Sequence, residues 1–224
     1  MTPKEPIIFC FSSGKDSSIA IHTIRQQGKY DIATLLTTIT KDYDRTSMHG
    51  IRTSILARQA ESLGLPLEKV FITKKSTNAD YERQMQIVLQ KYFDCGIRKV
   101  AFGDIFLEDL KQYRQNQLAR VQMEAIFPIW KIDTTKLAND FIDAGFKARV
   151  TCVDTDVLDQ TFAGRSFDRQ FLADLPESID PCGENGEFHS FVYDGPIFKT
   201  PIGHEPGETV LRDNRFCFCD MIPA

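Results

Sequence analysis

Short apolar runs alternate with amphipathic stretches over the first 130 residues. Ile7-Ile8-Phe9-Cys10-Phe11 is apolar at every position, as expected of a strand covered on both faces. Residues 17–27 then place Ile19, Ala20, Ile21 and Ile24 at helical spacing, and Gly28 stops the pattern. A second strand is predicted over 32–39 and a polar loop over 40–47. A helix follows from about 48 to 63, with Ile51, Ile55, Ala60 and Leu63 inward and Gly64 and Pro66 closing it. Residues 69–73 read as strand three. Residues 78–95 read as a long helix with Met85, Val88, Leu89 and Tyr92 on one stripe, and 99–102 as strand four. A charged helix over 108–125 and a short fifth strand over 125–130 complete the series. Such alternation predicts an open parallel α/β sheet with helices on both faces. Near Ile132 the texture changes to a helix over 134–144, a strand over 148–153, a short helix over 168–175, and then loops and short β runs. The division expected is one domain over 1–132 and a smaller α/β lobe over 133–224.

Composition narrows this picture. The chain has 224 residues, 42% hydrophobic, enough for a substantial core. The net charge of -4 and pI of about 5.6 argue against a broad nucleic-acid footprint, so no nucleic acid is expected as a partner. No apolar stretch approaches the roughly 20 residues that span a bilayer. Residues 1–6 lack a signal-type apolar core, so a cytoplasmic location is expected. Six cysteines form no Cys-x-x-Cys pair. Cys10, Cys95 and Cys152 sit in apolar runs and read as small core residues; Cys217 and Cys219 would share one strand face. The tail over 217–222 is apolar enough either for a final strand or for a homodimer contact.

Two stretches carry candidate chemistry. The first is Ser12-Ser13-Gly14-Lys15-Asp16-Ser17, between the first strand and its helix. Small residues allow a tight turn, and the helix N-terminus offers free N–H groups to an anion such as phosphate. A Walker A loop is excluded, because Phe9 stands at its first glycine position and Asp16 directly follows Lys15. The second is Gly183-Glu184-Asn185-Gly186-Glu187-Phe188-His189, followed by Val192-Tyr193-Asp194-Gly195-Pro196. It gathers titratable groups among turns, although an exposed hairpin turn would share that pattern.

The first stretch resembles the pyrophosphate loop Ser-Gly-Gly-x-Asp-Ser of the N-type ATP pyrophosphatases, in the adenine-nucleotide alpha-hydrolase superfamily, with Ser13 in place of the usual first glycine. The second resembles the distinguishing motif of the diphthine–ammonia ligase branch. Gly103-Asp104, Gly145-Phe146-Lys147-Ala148 and Gly164 extend the likeness over most of the chain. The resemblance implies a Rossmann-like, HUP-type sheet in the order 3-2-1-4-5, which sets Gly103-Asp104 across the crevice from residues 12–17. It implies ATP with Mg²⁺, ammonia, and a carboxylate acceptor that is either protein-borne diphthine or a small molecule such as a cobalamin-related acid. The carboxylate is adenylated, pyrophosphate leaves, and ammonia displaces AMP.

The resemblance also distributes roles. Lys15 and the loop, with the hydroxyls of Ser12, Ser13 and Ser17, would stabilise pyrophosphate. Asp16 or Asp104 would hold Mg²⁺, and Thr38 would lie near the adenine. Glu184, Glu187 and His189 would orient the acceptor or ammonia and take up the proton, with Glu187 favoured over Glu184. Read from the residues alone, His49 and Arg52 could face the crevice from the start of the second helix, and Arg114, Arg120 and Glu124 from the helix after Asp104. Each of these has an exposed helix surface as its alternative. Two rivals remain: an ATP-binding sensor without turnover, and sulfur insertion into tRNA, for which Cys182 lacks a partner cysteine.

Overall fold

The computed structural model describes residues 3–224; residues 1 and 2, the start of the stretch from which a cytoplasmic location was expected, lie outside the described residues. Strand β1 (Glu5–Cys10) is the axis of the first sheet. Its alternation sends Ile7 and Phe9 to one face and Ile8 to the other, and all three are fully buried. Helix α1 (Lys15–Gln27) follows and ends at Gly28 in the left-handed region (φ 66°). Strand β2 (Tyr30–Thr40) lies parallel to β1. Beyond the end of β1, the two-residue strand β3 (Arg45–Thr46) folds back antiparallel on β2.

Helix α2 (Thr53–Leu63) leads to β4 (Leu67–Ile72), which is parallel to β2 on its other edge. Helix α3 (Asn78–Asp94) has a capping box between Thr77 and Asp80 and leads to β5 (Lys99–Ala101), parallel to β1. Helix α4 (Glu108–Ala119) and β6 (Glu124–Ile126) complete the sheet. With the short antiparallel β3 set aside, the parallel strands run β4-β2-β1-β5-β6, the order 3-2-1-4-5 expected.

Several boundaries differ from the sequence reading. Helix α2 begins at Thr53, because residues 44–52 close a turn through Thr46 N–H to Ile51 O (2.8 Å) and Thr53 N–H to Asp44 O (3.1 Å). His49 and Arg52 therefore precede the helix. Helix α4 stops at Ala119, and a turn through Gln122 (φ 56°) reverses the chain. Arg120 is its cap and Glu124 opens β6, so neither is a helical residue facing the crevice. The fifth strand is three residues long, since the chain turns after Phe127. Cys95 is exposed at the end of α3, contrary to its reading as a core residue.

The remaining residues build a second sheet, more regular than the pattern implied. Helix α5 (Thr134–Asp143) precedes β7 (Lys147–Asp154), and helix α6 (Arg169–Asp174) follows. Strands β8 (Phe188–Asp194), β9 (His204–Arg212) and β10 (Phe216–Pro223) join β7 in the antiparallel order β8-β7-β10-β9. The apolar tail is therefore an inner strand of this sheet, with Cys217, Cys219 and Met221 buried. One continuous core joins Phe9, Ile21 and Leu56 of the first part to Phe141, Phe171 and Phe188 of the second. The opposite face of the first sheet is covered by α3 and α4 through Leu89 and Leu118.

Candidate functional site

At the carboxyl ends of β1, β2 and β5 the two sheets enclose a cavity of about 620 Å³, within the range typical of small-molecule sites. Ser12, Lys15, Asp16 and Ser17 line one wall, and Thr38 and His49 a second. Gly103, Asp104 and Arg114 line a third. The bend with Gly183, Glu184 and His189 closes it. The two motifs, 170 positions apart, are also bonded directly. Val192 N–H donates to Ser13 O (3.0 Å), Lys15 N–H to Ser190 Oγ (3.1 Å), and the Lys15 ammonium to the Cys182 carbonyl.

The loop geometry follows from tight packing. A Cβ on Gly14 would lie 2.5 Å from His49 Cε1, and one on Gly103 would lie 2.9 Å from Ser17 N. Only glycine lets β5 end against the backbone that starts α1. Ser13 occupies the left-handed region (φ 80°), a strain of roughly 1–2 kcal/mol for a residue with a Cβ. Its hydroxyl bonds to Gln59 Oε1, while Gln59 Nε2 donates to Ser13 O (3.1 Å) and Val192 O (2.7 Å). Fully buried Gln59 thus locks the loop to β8. It stands on the apolar stripe of α2 between Leu56 and Ala60, and a polar side chain there was the available signal. Neither Ser13 nor Gly14 lines the cavity; both support it from behind. Ser12 and Ser17 share a hydroxyl contact (3.0 Å) at its wall.

The charges at the site are paired. Lys15 is 3% exposed and donates to both Asp16 oxygens (2.9 Å each), with its ammonium 5.2 Å from the Phe188 ring centre. Burial works to lower the Lys15 pKa, but Asp16 and its neighbours outweigh it and the net shift is upward. Burial raises the Asp16 pKa against the pull of Lys15. Arg114 clamps both oxygens of Asp104 and lies 4.4 Å over the Phe102 ring. Among the described residues no three His, Cys, Asp or Glu side chains gather as a metal cage, and Asp16 and Asp104 each already hold a cation. The side chains do not form a ready magnesium site.

Glu184 and Glu187 have parted roles. Glu184 lines the cavity and accepts from Ile105 N–H (2.7 Å) and Phe106 N–H (3.3 Å). Burial, reinforced by Asp16 and Asp104, pushes its carboxyl up to about 7 despite those two donors. Glu187, favoured from sequence as proton acceptor, does not line the cavity. It is buried beneath the bend, where Oε1 accepts from Asp180 N–H (3.2 Å) and Asn185 Nδ2 (2.9 Å). Asp180 ties the same bend from the other side, accepting from Cys182 N–H (3.1 Å) and Glu184 N–H (2.9 Å).

His49 and His189 face one another with ring centres 4.7 Å apart. His49 Nδ1–H donates to Ser190 O (2.8 Å), leaving Nε2 as the acceptor nitrogen. Burial lowers His49 to about 4, with Lys15 adding to the effect. Burial, then His49 and Lys15, lowers His189 to about 3. Both rings are neutral near pH 7.

Three further sequence candidates lie off the cavity. Arg52 pairs with Asp220 (2.5 Å), Arg120 with Glu82 (2.9 Å), and Glu124 is exposed beside Lys99. Cys182 is buried, its thiol donates to Thr134 O (3.4 Å), and burial raises its pKa, so it is held as a thiol and not a nucleophilic thiolate.

A parallel sheet with a tight, glycine-containing loop at its switch point, capped by a second sheet, defines an open-sheet α/β protein with its cavity at the carboxyl ends of the strands. The diphthamide synthase N-terminal domain matches residues 6–125 and the diphthamide synthase C-terminal domain residues 133–218, so the chain belongs to the diphthamide synthase family. It is 28% identical over 171 residues to a zebrafish protein named diphthine–ammonia ligase, covering 69% of this chain and 67% of that one. The fission yeast protein of that name is 26% identical over 66% of this chain but only 26% of its own length, and the human one 24% identical over 68% and 63%. A U34-tRNA thiolase from Methanococcus maripaludis aligns over 62% of this chain and 56% of its own, at 14% identity and TM-score 0.37.

Proposed function

We propose that the chain is an ATP-dependent ligase that adenylates a carboxylate and amidates it with ammonia. The carboxylate oxygen attacks the α-phosphorus and pyrophosphate leaves. The ammonia lone pair then forms the C–N bond, the C–O bond to AMP breaks, and one proton is lost from nitrogen. The reading rests above all on one observation: the phosphate-type loop and the Glu184 bend line the same cavity. Family membership and relatives named diphthine–ammonia ligase support it.

In this reading residues 1–132 hold ATP and residues 133–224 present the acceptor. Ser12, Lys15 and Ser17, with the α1 N-terminus, stabilise the departing pyrophosphate, while Ser13 and Gly14 set the loop's shape. Thr38 sits beside the adenine. Glu184, with its carboxyl near 7, takes the proton released on nitrogen. Glu187 positions the bend, and the neutral rings of His49 and His189 contribute acceptor nitrogens for the acceptor or ammonia. Mg²⁺ would enter as the counter-ion of ATP, and Asp16 or Asp104 would help hold it on giving up the cation each now pairs with. The acceptor is protein-borne diphthine or a small carboxylic acid.

The test is to incubate the chain with ATP, magnesium, ammonium and candidate carboxylates while measuring AMP and pyrophosphate. Acceptor-dependent formation of both, reduced roughly 10²–10³-fold in Lys15→Ala, is expected. ATP binding without cleavage by any acceptor would instead indicate a sensor, and undiminished turnover in Lys15→Ala would remove that residue's role.

A further inference from the structure

Beside the main cavity, helices α3 and α4 stand apart over β1 and β5 and leave a narrow gap of about 40 Å³. Its walls are chiefly apolar, among them Met85, Leu89, Val100 and Leu118. At its inner end Cys10, Tyr81, Phe102, Tyr113 and Arg114 also line the main cavity, so the two spaces adjoin. At its outer end the Glu82–Arg120 ion pair (2.9 Å) and the Tyr113 hydroxyl on Glu82 (3.2 Å) span the two helices. Of the shared residues, Arg114 holds Asp104 on the main-cavity side.

We infer that this gap is the entry passage for neutral ammonia to the ligase cavity, an inference that rests on the function proposed above. Size selects the occupant. A water-sized molecule needs about 10–15 Å³, so the gap takes about three and excludes a nucleotide or a carboxylate acceptor. Polarity selects further. An ammonium ion would lose its hydration among these walls at a large cost, whereas neutral ammonia loses little, and the proton it sheds stays in bulk water. The passage therefore delivers the uncharged nucleophile that attacks the adenylate. It also lets ammonia enter while ATP and the acceptor fill the wide mouth.

The experiment narrows the passage with Met85→Trp and, nearer the surface, Gln117→Trp. Both side chains are only half-buried, and circular dichroism and thermal melting verify folding. Steady-state kinetics should show kcat/KM for ammonium falling at least tenfold, with the KM for ATP unchanged. Adenylation, read as ATP–pyrophosphate exchange without ammonium, should stay within twofold of wild type. Xenon pressed into crystals should occupy the gap in the wild type and not in Met85→Trp. A wild-type ligase whose two variants keep the ammonium dependence, or a gap that excludes xenon, overturns the passage alone. Absence of AMP and pyrophosphate formation in the wild type brings down the ligase reading and the passage with it.

Discussion

Two side chains shape this site in ways their own types disguise. Ser13 holds a backbone conformation that suits glycine, and its hydroxyl bond to Gln59 offsets part of that strain. The motif alone marked Ser13 as a tolerated departure; only the coordinates supply Gln59, 46 positions away. Glu184 is a carboxylate whose burial brings its titration to about 7. As the base of the proposed reaction it would act when ionised, so turnover should rise with pH to a plateau above an apparent pKa near 7, and Glu184→Gln should lower the plateau and abolish that limb. The sign for stability is opposite. A carboxyl raised from 4.5 to about 7 by folding favours the folded state at low pH, and that advantage is lost as pH rises through 7. Glu184→Gln, which can still accept from Ile105 and Phe106, should therefore melt higher than wild type at pH 8, as scanning calorimetry would register.

Among the elements, the segment over 44–52 matters beyond its length. It was read as loop and helix start. It is instead a turn that carries His49 to the cavity, and β10 pins it from outside. Asp220 accepts from Arg45 (2.7 Å) and from both Nε (3.2 Å) and Nη2 (2.5 Å) of Arg52. Burial works to raise the Asp220 pKa, but the two guanidiniums outweigh it and hold it at about 2. Arg45 also donates to Gly50 O (2.8 Å), so one carboxylate fixes both ends of the turn. Arg52, expected to face the crevice, thus pairs with Asp220 and does not line the cavity. Asp220→Asn should cost ~1–2 kcal/mol of unfolding free energy in urea titration. It should raise the KM for ATP or acceptor several-fold with kcat nearly kept, because the wall moves and the reacting groups do not. A kcat loss as large as that of Lys15→Ala would contradict this positioning role.

Across the whole molecule, the two sheets close on each other over buried polar groups as well as over phenylalanines. His49 belongs to the first sheet's loops and His189 to β8, and both titrate well below the 6.5 of an unfolded chain. As pH falls below 6.5, the unfolded state binds protons that the folded state refuses until about 4 and about 3. The two rings should therefore contribute a decline in stability between pH 6.5 and 4 of up to two protons in slope, opposed above pH 4.5 by the proton that folded Glu184 retains. His189→Phe should reduce that slope by about one proton in urea titrations at successive pH values. No helix among the described residues is long and apolar enough to cross a membrane.

Hydrophobic periodicity by itself determined the strand–helix series and the parallel sheet, while the order of its strands came from the family resemblance. Each strand is a short apolar run and each helix an apolar stripe, and right-handed crossovers leave few arrangements of such units. The loop at 12–17 was legible from its small residues and Lys15 at a helix start, whereas the bend at 183–189 was legible only through the family resemblance, since an exposed hairpin turn would share its pattern. The tertiary structure alone decided which carboxylate faces the cavity, which cations are already paired, and that Gln59, Asp180 and Asp220 hold the walls. The Gln59, Asp220 and Glu184 outcomes depend on contacts between residues 46 to 175 positions apart, and the local pairs at Lys15, Arg114 and Asp180 take their burial from the closure of the two sheets on each other.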